Sequence, residues 1–398
     1  MERIVLAYSG GLDESIAIPW LAETFGAEVV TVTLDLGHGA ELVEIRQRAL
    51  ALGAVRSHVI DVREEFVRDY AMPALQAGAL YADRAPMTTA LTKPLIARKL
   101  VDVARMEDAT AVAHGCAAAS DDGLRIDALV SALDPLARVI APARMWEMTR
   151  DEALTFANER GVPVPASFDG HYRTESNVWG RSTICSPAQD AWAEPSEDIY
   201  ALTRSPRDCP AQPAYVEIEF EGGKPLRVNS IEMSPLEMIE SLETIAGLHG
   251  VGRIDLMATR LTGGKSREIY EAPAAVVLHA AHRELEQLVI PSDLEQVAHA
   301  LGRTYAFAIT VTQGSQLGLR ITSIQYIDGE SPSVEFTFSS TPGRTYTVEA
   351  STSLLPVGQP GGWVELDDGV DADGSETTYT DSLNIVTGPR VYYRVREN

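Results

Sequence analysis

Residues 7–15, Ala-Tyr-Ser-Gly-Gly-Leu-Asp-Glu-Ser, constrain this chain more than any other run. They follow an apolar run, residues 4–6, that predicts a buried strand, and they precede residues 16–21, which predict a helix. Glycines let the backbone approach an anion closely, and the free N–H groups of a first helical turn point toward it. The run therefore predicts a phosphate site between the first strand and the first helix.

The spacing of this run separates it from two commoner phosphate loops. It matches neither G-x-x-x-x-G-K-[ST] nor G-x-G-x-x-G. Ser9 and Ser15 offer hydroxyl donors, and Asp13 is a candidate anchor for the backbone or for Mg²⁺. The pattern Ser-Gly-Gly-x-Asp-x-Ser resembles the pyrophosphate loop of the ATP pyrophosphatases, which cleave ATP between the α and β phosphates. An ordinary glycine turn is the alternative.

The charge balance limits the partners that we expect. The 398 residues include 33 Lys and Arg against 57 Asp and Glu, a formal net charge of −24. Nucleic acids and anionic membranes favour basic surfaces, so neither is an expected partner. The three cysteines are scattered without metal-ligand spacing, and no metal centre is predicted. No signal peptide and no apolar run of roughly 20 residues is visible, so we expect a cytoplasmic protein.

Residues 1–165 alternate strand and helix patterns, which predicts an α/β domain with a doubly wound parallel sheet that binds the nucleotide. Ligands of such sheets bind at the carboxyl ends of the strands. We therefore expect the loop at Ser9, the strand end at Asp35 and the stretch after Gly115 to converge.

Two further domains are predicted downstream. Residues 166–311 form an α+β synthetase domain, with an alternating strand at 215–220, a glycine turn at 222–223 and amphipathic helices at 235–248 and 274–288. Residues 312–398 contain no Lys, His or Cys, and their alternating strands predict an appended β-sandwich-like, all-β module. The acidic residues 367–374 suggest a Ca²⁺ loop or, preferably, a solvated turn.

Several long runs beyond the loop occur in the order of one known family. They are residues 92–97, 113–116, 177–182, 194–198, 249–255, 265–271 and 278–283. Together with the loop they cover residues 1 to about 305 and resemble argininosuccinate synthase. The resemblance implies a two-step ligation. The ureido oxygen of citrulline attacks the α-phosphorus of MgATP and releases pyrophosphate, and the amine of aspartate then displaces AMP. It also implies ATP and Mg²⁺ as cofactors, small amino-acid-like substrates and a homo-oligomer.

The resemblance also implies roles for individual residues. Those implied to contact ATP are Ala7, Tyr8, Ser9, Gly10, Gly11, Asp13, Ser15 and Gly115. Those implied to take part in catalysis are Asp13, Ser15 and Arg125. Those implied to contact the amino-acid substrates are Asp121, Asp122, Arg125, Arg173, Ser182 and Tyr270.

The substrate pockets depart from the family pattern. Ala117, Ala119 and Asp121 stand where the family has threonine, lysine and asparagine. Ala85, Arg173 and Ala258 replace a tyrosine, a serine and a glutamate on the citrulline side. A lost charged hydrogen bond costs about 1.5–3 kcal/mol, so several losses together weaken binding of the family substrates. Asp121 would repel a substrate carboxylate, whereas Arg173 would attract an anionic group.

Three functions remain open from the sequence. The favoured one is a ligase of this family with altered substrates, and the others are an ordinary argininosuccinate synthase and an inactive nucleotide-binding scaffold. Arg181 and Lys265 are additional candidates for binding phosphate or carboxylate. His114, Cys116, His279 and His282 are expected to pack rather than to react or to bind a metal.

Overall fold

The computed structural model describes residues 2–37, 42–116, 120–146, 148, 150–162, 172–185, 192–261, 264–309, 321–327, 333–339, 345–351, 364–371, 376–381 and 392–397. The chain divides into two compact units, residues 1–315 and 316–398. The predicted boundaries at 165/166 and 311/312 stay predictions, since the residues around both lie outside the described ranges.

Strands and helices alternate through the first part of unit one. They are β1 (Arg3–Ala7), α1 (Leu12–Phe25), β2 (Glu28–Asp35), α2 (Leu42–Ala51), β3 (Arg56–Asp61), α3 (Arg63–Phe66), a π-helical turn (Val67–Ala71), α4 (Met72–Gln76), α5 (Thr92–Met106), β4 (Ala111–His114), α6 (Asp121–Leu133), β5 (Arg138–Ile140), α7 (Pro142–Met145) and α8 (Arg150–Glu159). The five strands form a parallel sheet in the order β3-β2-β1-β4-β5. The predicted α/β fold is confirmed.

The central strands explain why this sheet is stable. Ile4, Leu6 and Val29 are completely buried, and they pack with Ile18 and Leu21 of α1 in one apolar cluster. Such near-continuous apolar strands are typical of a parallel sheet covered on both faces. The strand order changes direction between β1 and β4, and in open α/β sheets ligands bind at this point.

The rest of unit one is α+β, as expected. Its elements are β6 (Tyr172–Asn177), β7 (Gly180–Cys185), a 3₁₀ turn (Glu197–Ile199), β8 (Ile218–Glu221), β9 (Lys224–Val228), β10 (Ile231–Glu232), α9 (Pro235–Leu248), β11 (Arg253–Thr259), β12 (Lys265–Glu271), α10 (Pro273–Val289) and α11 (Ser292–Phe307). They form the antiparallel sheets β11-β12-β7-β6 and β10-β9-β8. The strand predicted at 215–220 begins only at Ile218. Gly222 and Gly223 have φ of 56° and 75°, as the predicted hairpin turn requires.

Unit two contains β13 (Ile321–Ile327), β14 (Ser333–Ser339), β15 (Thr345–Ser351), β16 (Val364–Asp371), β17 (Glu376–Asp381) and β18 (Tyr392–Glu397). They form two antiparallel sheets, β13-β14-β17 and β16-β15-β18, and Tyr346 and Val348 are buried. The prediction of an acidic turn is wrong for residues 367–371, which complete β16, while residues 372–375 lie outside the described ranges.

A buried carboxylate fastens β12 to the segment before β8. Oε1 of Glu271 accepts hydrogen bonds from the backbone N–H of Leu202, the backbone N–H of Thr203 and the Thr203 hydroxyl, at 2.8–3.0 Å. Its Oε2 accepts from the N–H of Ala201 at 2.8 Å, and Arg181 lies 3.5 Å away. Arg181, a candidate anion ligand, thus pairs with Glu271.

Replacing Glu271 by glutamine is expected to lower the free energy of unfolding by about 3 kcal/mol, because an amide NH₂ would face backbone donors that need an acceptor. Urea denaturation measures this loss. Glu284→Gln, at an exposed ion pair with Arg283 on α10, is the control and should change stability by less than about 1 kcal/mol. Equal effects of the two variants would contradict the structural role of Glu271.

Candidate active site

The predicted phosphate loop lies at the carboxyl edge of the parallel sheet. The register pairs Ala7, the last residue of β1, with Val32 of β2 and His114 of β4. The N–H of Tyr8 donates to the carbonyl of Val32 at 2.9 Å. Gly10 has a φ of 88°, and Gly11 is the residue that caps α1. The loop Ser9–Gly11 therefore turns directly into the N-terminus of a helix at the switch point of the sheet.

Ser15 lies one turn into α1, where it is buried rather than open to a ligand. Its Oγ lies 3.0 Å from the Tyr8 hydroxyl, and its N–H donates to the Gly11 carbonyl at 3.0 Å. Burial raises the pKa of Tyr8, so this phenol stays neutral. In this arrangement Ser15 holds Tyr8 against the loop. Asp13, in the first turn of α1, is partly exposed.

Gly115 lies beside the loop, as expected. A Cβ added there would lie 2.2 Å from Cγ of Glu14, so only glycine lets the end of β4 approach α1 this closely. The Glu14 carboxylate accepts hydrogen bonds from the N–H and the hydroxyl of Ser9. Asp35, which we also expected near the loop, accepts a hydrogen bond from the N–H of Gly37 and lies 3.6 Å from Arg63. Sequence reasoning assigned no role to Glu14, although it stands at the helix position of a capping-box glutamate.

A buried lysine connects α5 to two other elements of the site. Nζ of Lys93 lies 2.7 Å from Glu175 of β6 and 3.4 Å from Asp122 at the start of α6. Arg125 binds the other oxygen of Asp122 at 2.8 Å. Burial opposes ionisation of Asp122, but Lys93 and Arg125 more than offset it and lower its pKa to about 2. Both carboxylates raise the pKa of Lys93 despite its burial, so this ammonium group stays charged.

Asp121 and Arg173 lie at the edges of this charged cluster. Oδ2 of Asp121 accepts a hydrogen bond from the N–H of Leu261 at 3.0 Å, which joins α6 to the segment after β11. The half-exposed guanidinium of Arg173 lies 3.5 Å from Glu175. Asp121 thus forms a hydrogen bond within the protein, whereas much of the Arg173 side chain is open to solvent. Ala117 and Ala119 lie outside the described residues.

Ser182 and Tyr270 face each other across β7 and β12, because the register makes them direct partners. Oγ of Ser182 lies 3.3 Å from the Thr89 hydroxyl, and the Tyr270 phenol donates to Glu268 at 2.5 Å. Burial and the Glu268 charge raise the pKa of Tyr270. Tyr270 also packs in one apolar cluster with Ala85, Leu256 and Ala258. Two of the positions that depart from the family pattern therefore belong to one cluster.

His114 and His279 are buried, and Cys116 is half-buried. His114 lies 2.9 Å from Asp127, which also pairs with Arg144. Burial raises the pKa of Cys116 to about 12, which leaves the thiol unreactive near neutral pH. Burial lowers the pKa of His279 to about 3. The described residues contain no group of three or more potential metal ligands.

Comparison with known proteins identifies the family. Residues 3–163 match the family model of the arginosuccinate synthase N-terminal HUP domain, and residues 172–317 match that of the arginosuccinate synthase C-terminal domain. The chain belongs to the argininosuccinate synthase family. This family consists of ATP-dependent carbon–nitrogen ligases. The match to its C-terminal domain extends to residue 317, somewhat beyond the similarity visible in the sequence alone.

Several members of the argininosuccinate synthase family are close relatives. The argininosuccinate synthase of Streptococcus suis is 46% identical over 298 residues, which cover 75% of this chain and 74% of that protein. That of Oceanobacillus iheyensis is 47% identical, covering 74% of this chain and 71% of its own length. That of Dehalococcoides mccartyi is 45% identical, and the match covers 77% of this chain and 75% of that protein. Among the helices that the structure describes, none has the length and apolarity to cross a membrane.

Proposed function

We propose that this chain is an AMP- and pyrophosphate-forming ligase whose amino-acid-like substrates differ from citrulline and aspartate. Ser9, Gly10 and Gly11 would bind the pyrophosphate part of ATP, and Gly115 would lie near the adenosine. Mg²⁺ would enter with ATP, and the Asp13 carboxylate would support it. Asp122, Arg125, Arg173, Ser182 and Tyr270 would line the substrate side. A homo-oligomeric state is part of the same proposal.

The chemistry follows from what these groups can stabilise. A substrate oxygen attacks the α-phosphorus, the bond from that phosphorus to the bridging oxygen breaks, and pyrophosphate leaves. An amine then displaces AMP. The loop N–H groups and the dipole of α1 favour the negative charge that builds up on the leaving pyrophosphate. The charged cluster around Lys93 fixes α5, α6 and β6 at short distances, which aligns the two reactants.

The observation that carries the altered specificity is the apolar cluster around Tyr270. Ala85 and Ala258 are almost completely buried and lie in one apolar cluster with Leu256. The family pattern has a phenol and a carboxylate at these positions. An α-ammonium group would find no acceptor on these two methyl groups, so a citrulline-like ligand would lose charge-assisted hydrogen bonds. Arg173 favours an anionic group nearby.

Pyrophosphate release from ATP tests this function. We expect slow release with citrulline and aspartate, and faster release with one member of a panel of ureido and carboxylic acids. The double variant Ala85→Tyr, Ala258→Glu should raise kcat/KM for citrulline at least about tenfold. Met257→Glu, which adds a carboxylate at an exposed position of β11, is the control and should not.

The 45–47% identity to proteins named argininosuccinate synthase favours a second candidate, the ordinary activity. Rapid turnover of citrulline and aspartate by the unmodified chain would establish that activity and refute altered specificity. Failure to form AMP with every panel member would instead favour the inactive scaffold.

A further inference from the structure

The side chain of Glu14 lies within the phosphate loop. Its Oε2 accepts hydrogen bonds from the backbone N–H of Ser9 at 2.6 Å and from the Ser9 hydroxyl at 2.7 Å. The same side chain rests against Gly115 at the end of β4. The carboxylate therefore occupies the space between the two segments that we propose to contact ATP.

A carboxylate and a phosphate oxygen compete for the same kind of donor. A fixed negative charge at the loop also repels an incoming phosphate, and the repulsion is strongest where water is excluded. Burial raises the pKa of the Glu14 carboxyl, while the Ser9 hydrogen bonds and the Arg173 cation offset part of that rise and Glu175 adds to it. Arg173, half-exposed on β6, is a cation whose charge acts on the Glu14 carboxyl.

We infer that Glu14 is an internal competitor of ATP, which holds the loop donors when nucleotide is absent and must leave them before pyrophosphate groups bind. This inference rests on the proposed function of the loop. The alternative is that Glu14 braces the loop, since a glutamate in the first helical turn often bonds to a backbone N–H before the helix. The two roles predict opposite effects of removing the carboxylate.

Calorimetric titration with magnesium pyrophosphate, and with an ATP analogue that resists α–β cleavage, distinguishes the two roles. We expect Glu14→Ala to bind magnesium pyrophosphate at least about tenfold more tightly than the unmodified chain. Glu14→Gln, which keeps the size and one acceptor, should also bind more tightly, but less so. Glu23→Gln removes the same charge from an exposed ion pair on the same helix, and should change the Kd less than about twofold.

Weaker binding by both Glu14 variants, with thermal unfolding showing that they remain folded, would overturn the inference and favour the brace. Equal binding by the unmodified chain and the variants would overturn the inference without favouring the brace. If neither the unmodified chain nor any variant binds either probe, both the inference and the proposed phosphate role of the loop are refuted.

Discussion

Replacing Lys93 by methionine is expected to lower the free energy of unfolding by about 3–5 kcal/mol, because it removes the cation from a buried charge cluster. Asp122 would keep Arg125, whereas the one cation left near Glu175 among the described residues would be Arg173 at 3.5 Å. Repulsion between the two carboxylates would then separate α6 from β6, so ligase activity should fall with stability. Chemical denaturation and pyrophosphate release measure the two effects.

Lys99→Met is the matched control for this variant. Lys99 lies on the same helix, α5, and pairs with Glu65, which also keeps Arg98 as a partner. Its side chain is more exposed than that of Lys93, so the loss should not exceed about 1 kcal/mol. If Lys93→Met were as stable and active as Lys99→Met, the charged cluster would not hold the site together.

A valine at Gly10 is expected to reduce ATP-dependent pyrophosphate formation about 100-fold, because small displacements of the reacting groups cost this much. Gly10 has a φ of 88°, which is unfavourable for a β-branched residue, and its Cβ would lie 3.2 Å from Cγ1 of Ile45. We therefore expect the loop to shift away from α2 and its donors to move with it.

Gly26→Val separates backbone strain from the shape of the loop. Gly26 lies at the C-terminal end of α1 with a φ of 61°, and no atom lies within 4 Å of an added Cβ. This variant should lose stability and keep nearly all of its pyrophosphate release at saturating ATP. Equal losses of activity in the two variants would mean that strain, rather than loop geometry, explains the effect at Gly10.

Local patterns predicted several helices, strands and turns, since these elements depend on neighbouring residues. The helix expected at residues 235–248 is α9 with the same bounds, because Ser234 and Glu237 form a capping box at its start. The hairpin between β8 and β9 was predictable because the glycine pair at 222–223 accepts the positive φ angles of its turn. At the site, the loop between β1 and α1 and the position of Gly115 beside it were likewise predictable.

The contacts that organise the site depend on distant residues, and the sequence alone did not reveal them. Lys93 meets Glu175, which is 82 residues away along the chain, and Asp121 meets Leu261 across 140 residues. Ser15 looked like an open phosphate ligand because it follows the glycines, but one helical turn rotates its hydroxyl toward Tyr8. Likewise, the fold alone brings Ala85 and Ala258 into one cluster.

The bond between Asp121 and Leu261 has a consequence for how the two family segments work together. It joins the segment that carries the phosphate loop to the segment that carries β11 and β12, and the ion pair of Lys93 with Glu175 joins them a second time. A fragment ending before β6 would retain the loop but lose one side of the proposed substrate site. We therefore expect neither segment to form the proposed site alone, because these two contacts couple their positions.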